Sequence, residues 1–222
     1  MGKKVWIYTA VACVLMLAFA ALSVVLLTVD VRNAGESNAP VGLATINEAV
    51  FEALGQNELC LKISGVCGAM MIAAIGVFGV TGLVQVIRRK GILRADKELY
   101  AMLGGFALFG AAYLMFEYMI INYRPILEDG ELAASYPSTH AMLAATVAGM
   151  GAVYLLKYLK TKFWHGLLCG FLVGLACVTV TLRLFSGVHW LTDIVGGVLL
   201  GGAISAVYGS ICALLEKSEA KE

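Results

Sequence analysis

Long apolar runs alternate with short polar ones along the whole chain. The apolar runs cover Val5–Val29, Leu59–Ile87, Glu98–Ile121, Thr139–Leu159, Phe163–Leu184 and His189–Leu215. A helix needs about 20 such residues to cross the hydrocarbon core of a bilayer. The pattern therefore predicts an all-α polytopic membrane protein with six transmembrane helices in a bundle, read as a single domain over residues 1–222. The first run follows Lys3 and Lys4 and contains Ala18-Phe19-Ala20, features of a cleaved leader, but a leader core is only about 7–15 residues long. It is read as a retained first helix. Residues 30–58 form a polar connection with Ile46, Val50, Phe51 and Leu54 at helical spacing and Asn47, Glu48 and Glu52 opposite. That predicts a short amphipathic helix, lying in the interface or packed on the other helices.

Composition agrees with the pattern. Hydrophobic residues make up 60% of the chain and charged ones 14%, against roughly half and a quarter in soluble proteins. The 25 glycines suit close helix approach in a membrane. The net charge of +1 gives no sign of a nucleic-acid partner. Six cysteines lie in or beside apolar runs without a CxxC pair, so they read as small apolar residues, not as disulfides or metal ligands. With the N-terminus inside, twelve Lys and Arg fall on inner segments, among them Lys157, Lys160, Lys162, Lys217 and Lys221. Only Arg32, Lys62, Arg124 and Arg183 fall outside. The bias places both termini in the cytoplasm. Short loops and absent glycosylation sequons point to a bacterial cytoplasmic membrane.

This alternation of helices brings four places to the outer face: the end of the third run, the start of the fourth, the end of the fifth and the start of the sixth. They carry Arg124, His140, Arg183, and His189 with Asp193. Ionisable groups at membrane depth are costly and mark function by default. His189 and Asp193 are four apart, which on a helix puts them on one face. A carboxylate there orients an imidazole and frees its other nitrogen to attack. Two arginines match the planar recognition of phosphate oxygens. Pro137-Ser138-Thr139-His140 reads as a helix start, with Ser138 as the cap and unpaired amides offered to an anion.

These residues resemble the signature segments of the type 2 phosphatidic acid phosphatase superfamily, the membrane lipid phosphatases related to vanadium haloperoxidases. The matching segments are Tyr123-Arg124-Pro125, Pro137-Ser138-Thr139-His140, and Arg183-x5-His189-x3-Asp193, within residues 117–193. The resemblance implies phosphoryl transfer without a metal or other cofactor. His189 would attack phosphorus, Asp193 would orient it, and His140 would protonate the leaving oxygen. Arg124, Arg183, Ser138 and Thr139 would hold the phosphoryl oxygens. The implied substrate is a lipid phosphate or pyrophosphate of the phosphatidate, phosphatidylglycerophosphate or undecaprenyl pyrophosphate class, met at the extracytoplasmic face among membrane lipids.

Three positions depart from the family pattern. Glu117 stands where a lysine is usual, and is expected to pair with Arg124 or Arg183 or to tune the substrate. Thr139 replaces a glycine, and Leu182 replaces a serine. Rival readings are a lipid phosphotransferase, a degenerate lipid-phosphate binder and a transporter. A transporter predicts midplane charges and internal repeats, neither of which is visible. His165, next to Trp164, reads as an interfacial residue, and Glu128, Asp129 and Glu131 as a solvated loop face.

Overall fold

The computed structural model describes residues 2–128, 130–159 and 161–219. Asp129, Lys160 and Lys221 lie outside these residues. Seven α-helices are described: α1 (Lys3–Thr28), α2 (Ala44–Leu54), α3 (Glu58–Arg88), α4 (Lys97–Tyr118), α5 (Thr139–Tyr158), α6 (Lys162–Phe185) and α7 (Leu191–Glu219). All except α2 are long and apolar enough to cross a membrane, as the hydropathy pattern predicts. The chain is an all-α integral membrane protein of six spans. One small addition has no counterpart in the hydropathy pattern, the antiparallel pair β1 (Arg32–Ala34) and β2 (Ala39–Val41).

The arrangement is a bundle with two inner helices. α7 packs along α1, α5 and α4, and α5 packs along α6 as well. About half of α5 and α7 is buried, against 6% of the most apolar part of α3. The outer helices turn Leu17, Leu83 and Leu103 outward, where lipid and not water is the solvent. Inside, Phe19 and Leu26 of α1, Met102 and Phe116 of α4, Met142 and Met150 of α5 and Tyr208 of α7 form one core. The α5–α7 crossing is tight because α7 presents glycine there. A Cβ on Gly197 would stand 2.5 Å from the Ser138 carbonyl oxygen, and one on Gly201 2.4 Å from that of Met142. Backbones this close leave no room for a side chain, and the approach fixes the start of α5 against the start of α7.

Three expectations change in detail. The third span ends at Tyr118, not Ile121, and the last begins at Leu191, so His189 precedes its helix. The amphipathic segment is helical as α2, packed on the other helices: Phe51 meets the Trp190 ring at 5.6 Å between centroids. Its packed face keeps Val50, Phe51 and Leu54 of the hydrophobic pattern, with Glu52 exposed, but departs from it at two positions. Asn47 is fully buried while Ile46 is exposed. The Asn47 amide donates to the Gly42 carbonyl and to Thr192 Oγ1, both at 2.9 Å, and this offsets the cost of burying it.

Candidate active site

The site lies at one end of the bundle, beneath the loop joining α4 to α5. That loop is a folded strap. Tyr123 bridges Ala134, and the Arg124 amide donates to the Ala133 carbonyl at 3.0 Å. Tyr136 pins the strap to the core, stacked on Phe19 at 5.7 Å, with its hydroxyl 2.9 Å from Ser23 Oγ. Burial pushes the Tyr136 phenol up to about 12, so it stays a neutral hydrogen-bonding group. The connection between α1 and α3 braces the strap from outside: Ser37 donates to the carbonyls of Arg124 and Pro125. Trp190 Nε1 donates to the Tyr123 carbonyl at 2.7 Å.

Beneath the strap is a cavity of about 380 Å³. Arg124, Thr139, His140, Arg183 and His189 line one side, and Ala112, Tyr113 and Phe116 of α4 line another. Ser138 and Asp193 lie behind the wall, fully buried. The structure thus gathers His189, His140, Asp193, Arg124, Arg183, Ser138 and Thr139 from three helix ends and two connections.

Several details differ from the sequence reading. Ser138 holds the N-cap position of α5, but its hydroxyl makes no capping bond. The buried Ser138 Oγ and Arg183 Nε have no hydrogen-bond partner among the described residues. Arg183 Nη1 makes one long contact to Ser64 Oγ, at 3.4 Å. Two orphaned donors beside an opening helix N-terminus are what a phosphate-sized anion would satisfy. Arg124 instead has a partner: its Nη1 lies 2.9 Å from Glu128 Oε1. Glu128 is therefore part of the cavity wall, not a solvated loop face alone.

Glu117 lines the cavity, is exposed, and pairs with neither arginine, contrary to the expected ion pair. Arg124 is taken by a closer carboxylate, and Arg183 is sunk against α3. His165 is remote, with its Nε2 3.3 Å from Cys169 Sγ. All six cysteines are free.

His189 and Asp193 do not share a helix face, because His189 lies in the turn before α7. Their nearest approach, Nδ1 to Oδ2, is 3.8 Å, too long for a hydrogen bond. Ser135 Oγ fills the gap, 3.1 Å from His189 Nδ1 and in short contact with Asp193 Oδ2. Asp193 also accepts from the Trp190 amide at 2.8 Å and from Asn122 Nδ2 at 3.3 Å. Asn122 in turn accepts from the Gly42 amide at 3.0 Å. Burial holds His189 below its ordinary value, against the raising effect of Asp193, and Arg124 and Arg183 push the same way as burial. The ring is therefore kept neutral, with a lone pair available. Ser135 and Asn122 were absent from the sequence reading. Both sit in a polar loop, and nothing in their local pattern distinguishes them from other loop residues.

Comparison with known proteins bears on the family and the fold. The sequence model of the PAP2 superfamily matches residues 68–212. Phosphatidylglycerophosphatase B of Bacillus subtilis (strain 168) is 33% identical over 81 residues, a stretch covering 36% of this chain and 39% of that protein's length. The crystal structure of a transmembrane PAP2-type phosphatidylglycerolphosphate phosphatase from Bacillus subtilis superposes with a TM-score of 0.68. That likeness covers 91% of this chain and 96% of the other at 21% identity, and establishes a shared fold.

Proposed function

The chain belongs to the PAP2 superfamily, and from that premise we propose that it is a membrane lipid phosphatase using a phosphohistidine intermediate on His189. The observation that carries the reading is the pair of unpartnered buried donors, Ser138 Oγ and Arg183 Nε, beside a neutral buried histidine. In the proposed reaction His189 Nε2 forms a bond to phosphorus as the bond from phosphorus to the lipid oxygen breaks. His140 gives its proton to that oxygen. A water then attacks phosphorus with His140 as base, the N–P bond breaks, and phosphate leaves. Arg183, Arg124, Ser138 Oγ and the first amides of α5, beginning at Thr139, hold the phosphoryl oxygens as charge builds.

The substrate we propose is a lipid phosphate monoester of the phosphatidylglycerophosphate type. Supporting it are the relative's name and a cavity lining that combines Arg124 and Arg183 with Ala112, Tyr113 and Phe116 of α4. Such a lining suits a molecule whose tail stays in the bilayer. Glu117, exposed in the lining and without an ion pair among the described residues, suits a headgroup that offers hydrogen-bond donors, as a glycerol does. The Lys and Arg bias supports cytoplasmic termini and an extracytoplasmic site, and the relatives support a bacterial cytoplasmic membrane.

The test is phosphate release by purified protein in detergent with chelator present, across lipid monoesters and pyrophosphates, with wild type beside His189→Ala. Release that survives chelator and vanishes in the variant is expected, with labelled phosphate trapped on His189. Release undiminished in His189→Ala would overturn the reading. Transfer of the phosphoryl group to an added alcohol in place of water would make the protein a phosphotransferase.

A further inference from the structure

A hydroxyl group has one proton, and that fact decides the direction of the chain of contacts behind His189. Asp193 only accepts hydrogen bonds, and its two other neighbours, the Trp190 amide and Asn122 Nδ2, are both donors to it. The Ser135 proton therefore points to Asp193 Oδ2. Ser135 Oγ is left with lone pairs only, so across its 3.1 Å contact it accepts from His189 Nδ1. The proton must sit on Nδ1, and Nε2 is left bare.

We infer that Ser135 is a positioning residue, a hydroxyl relay through which Asp193 sets the tautomer and orientation of His189. The inference rests on the reading of His189 as the nucleophile. Ser135 is suited to the task by how it is held. It is almost fully buried, and its amide donates at 2.9 Å to the carbonyl of Asn122, whose side chain binds the same aspartate. The strap thus supplies both the relay and a second anchor for the carboxylate.

The relay moves no proton. When Nε2 bonds to phosphorus and the lipid oxygen departs with the His140 proton, the His189 ring becomes cationic and keeps its Nδ1 proton. Ser135 keeps its own proton towards Asp193. The polarised hydroxyl transmits the carboxylate's charge to the ring as that cation forms, so the contact strengthens in the transition state and acts on turnover more than on binding.

The experiment compares Ser135→Ala, Ser135→Thr, Asp193→Asn and the Ser135→Ala/Asp193→Asn pair in detergent, each checked for a wild-type thermal transition. Ser135→Ala is expected to lower kcat about 100-fold, within the usual range for an oriented acid–base group, with KM within roughly twofold of wild type. Ser135→Thr, which keeps the hydroxyl, is expected to recover most of the loss. The double variant is expected to be no worse than about threefold below Asp193→Asn, because one relay has been cut twice. Nitrogen-15 spectra of histidine-labelled wild type supply a reading that needs no variant: neutral His189 is expected to carry its proton on Nδ1. A proton on Nε2 would overturn the relay, as would Ser135→Ala with kcat within about threefold of wild type, or losses that multiply in the double variant. Failure of the nucleophile reading looks different: no phosphate is trapped on wild-type His189, and His189→Ala still turns over.

Discussion

Gly68 provides the sharpest test of how closely α3 sets His140, the proposed acid. It is buried on α3, and a Cβ built there would stand 2.8 Å from Cδ2 and 3.0 Å from Nε2 of His140. Carbon atoms in good contact sit about 3.5–4.0 Å apart. Gly68→Ala therefore requires the His140 ring to retreat by roughly 0.7 Å or more, and that ring is the one proposed to protonate the leaving oxygen. A misplacement of about 1 Å can cost on the order of 100-fold in rate. The expected loss in kcat is about 10- to 100-fold, which corresponds to roughly 1.4–2.7 kcal/mol of barrier. KM should change little, since the phosphate-holding donors do not touch Gly68. The control is Gly65→Ala, about one turn earlier on the same helix, where an added Cβ meets nothing within 4 Å. Initial rates over a range of lipid phosphate in mixed micelles would separate kcat from KM for both variants. Turnover by folded Gly68→Ala within twofold of wild type would refute the argument, and so would an equal loss in Gly65→Ala.

Four further outcomes are expected. Glu128→Gln frees Arg124 from a half-exposed pair at 2.9 Å; such pairs are worth about 0.2–1 kcal/mol, so KM should fall by up to roughly fivefold with kcat unchanged. Arg183→Lys keeps the charge but loses the planar fork and its unpartnered Nε, so kcat/KM in the same assay should fall at least tenfold at any salt concentration. On the acid side, kcat/KM should rise with pH through a midpoint below 6.5, because the proposed nucleophile is the neutral ring and the folded protein holds His189 below that value; a midpoint at or above 6.5 would refute it. The same shift makes the unfolded chain bind a proton first on acidification, so this contribution to stability is full above pH 6.5 and is lost as pH falls towards the folded value, which thermal unfolding can follow.

The six spans were legible because a helix in lipid must satisfy its own backbone, so length and hydropathy alone suffice to find it. The principal site groups were legible because their spacing is local, within Pro137–His140 and Arg183–Asp193. What was not legible depends on contacts between distant segments. Ser135 acquires its meaning only when the strap folds over α7, and Asn122 only when it meets Gly42 and Asp193. The direct His189–Asp193 pair failed because four-residue spacing implies a shared face only inside a helix, and α7 begins two residues after His189. Asn47 misled the amphipathic reading because a polar side chain with two good partners can be buried. The expected partners of Glu117 were already committed, one to Glu128 and one to α3.

The division between inner and outer helices has a consequence for the membrane in which the protein works. The proposed site is built from the starts of α5 and α7, the end of α6 and a strap anchored by Tyr136, while α3 and much of α1 and α6 face lipid. Bilayers that differ in thickness act on a protein by tilting the helices that touch them. Here such tilting falls first on the lipid-facing helices, and the glycine-locked α5–α7 pair is shielded from it. Lipid composition should therefore alter how readily a substrate arrives far more than how fast a bound one reacts. The exceptions are α6, which faces lipid and carries Arg183 in its last turn, and α3, where Gly68 leaves room for the His140 ring; these two give bilayer thickness its shortest routes to the rate.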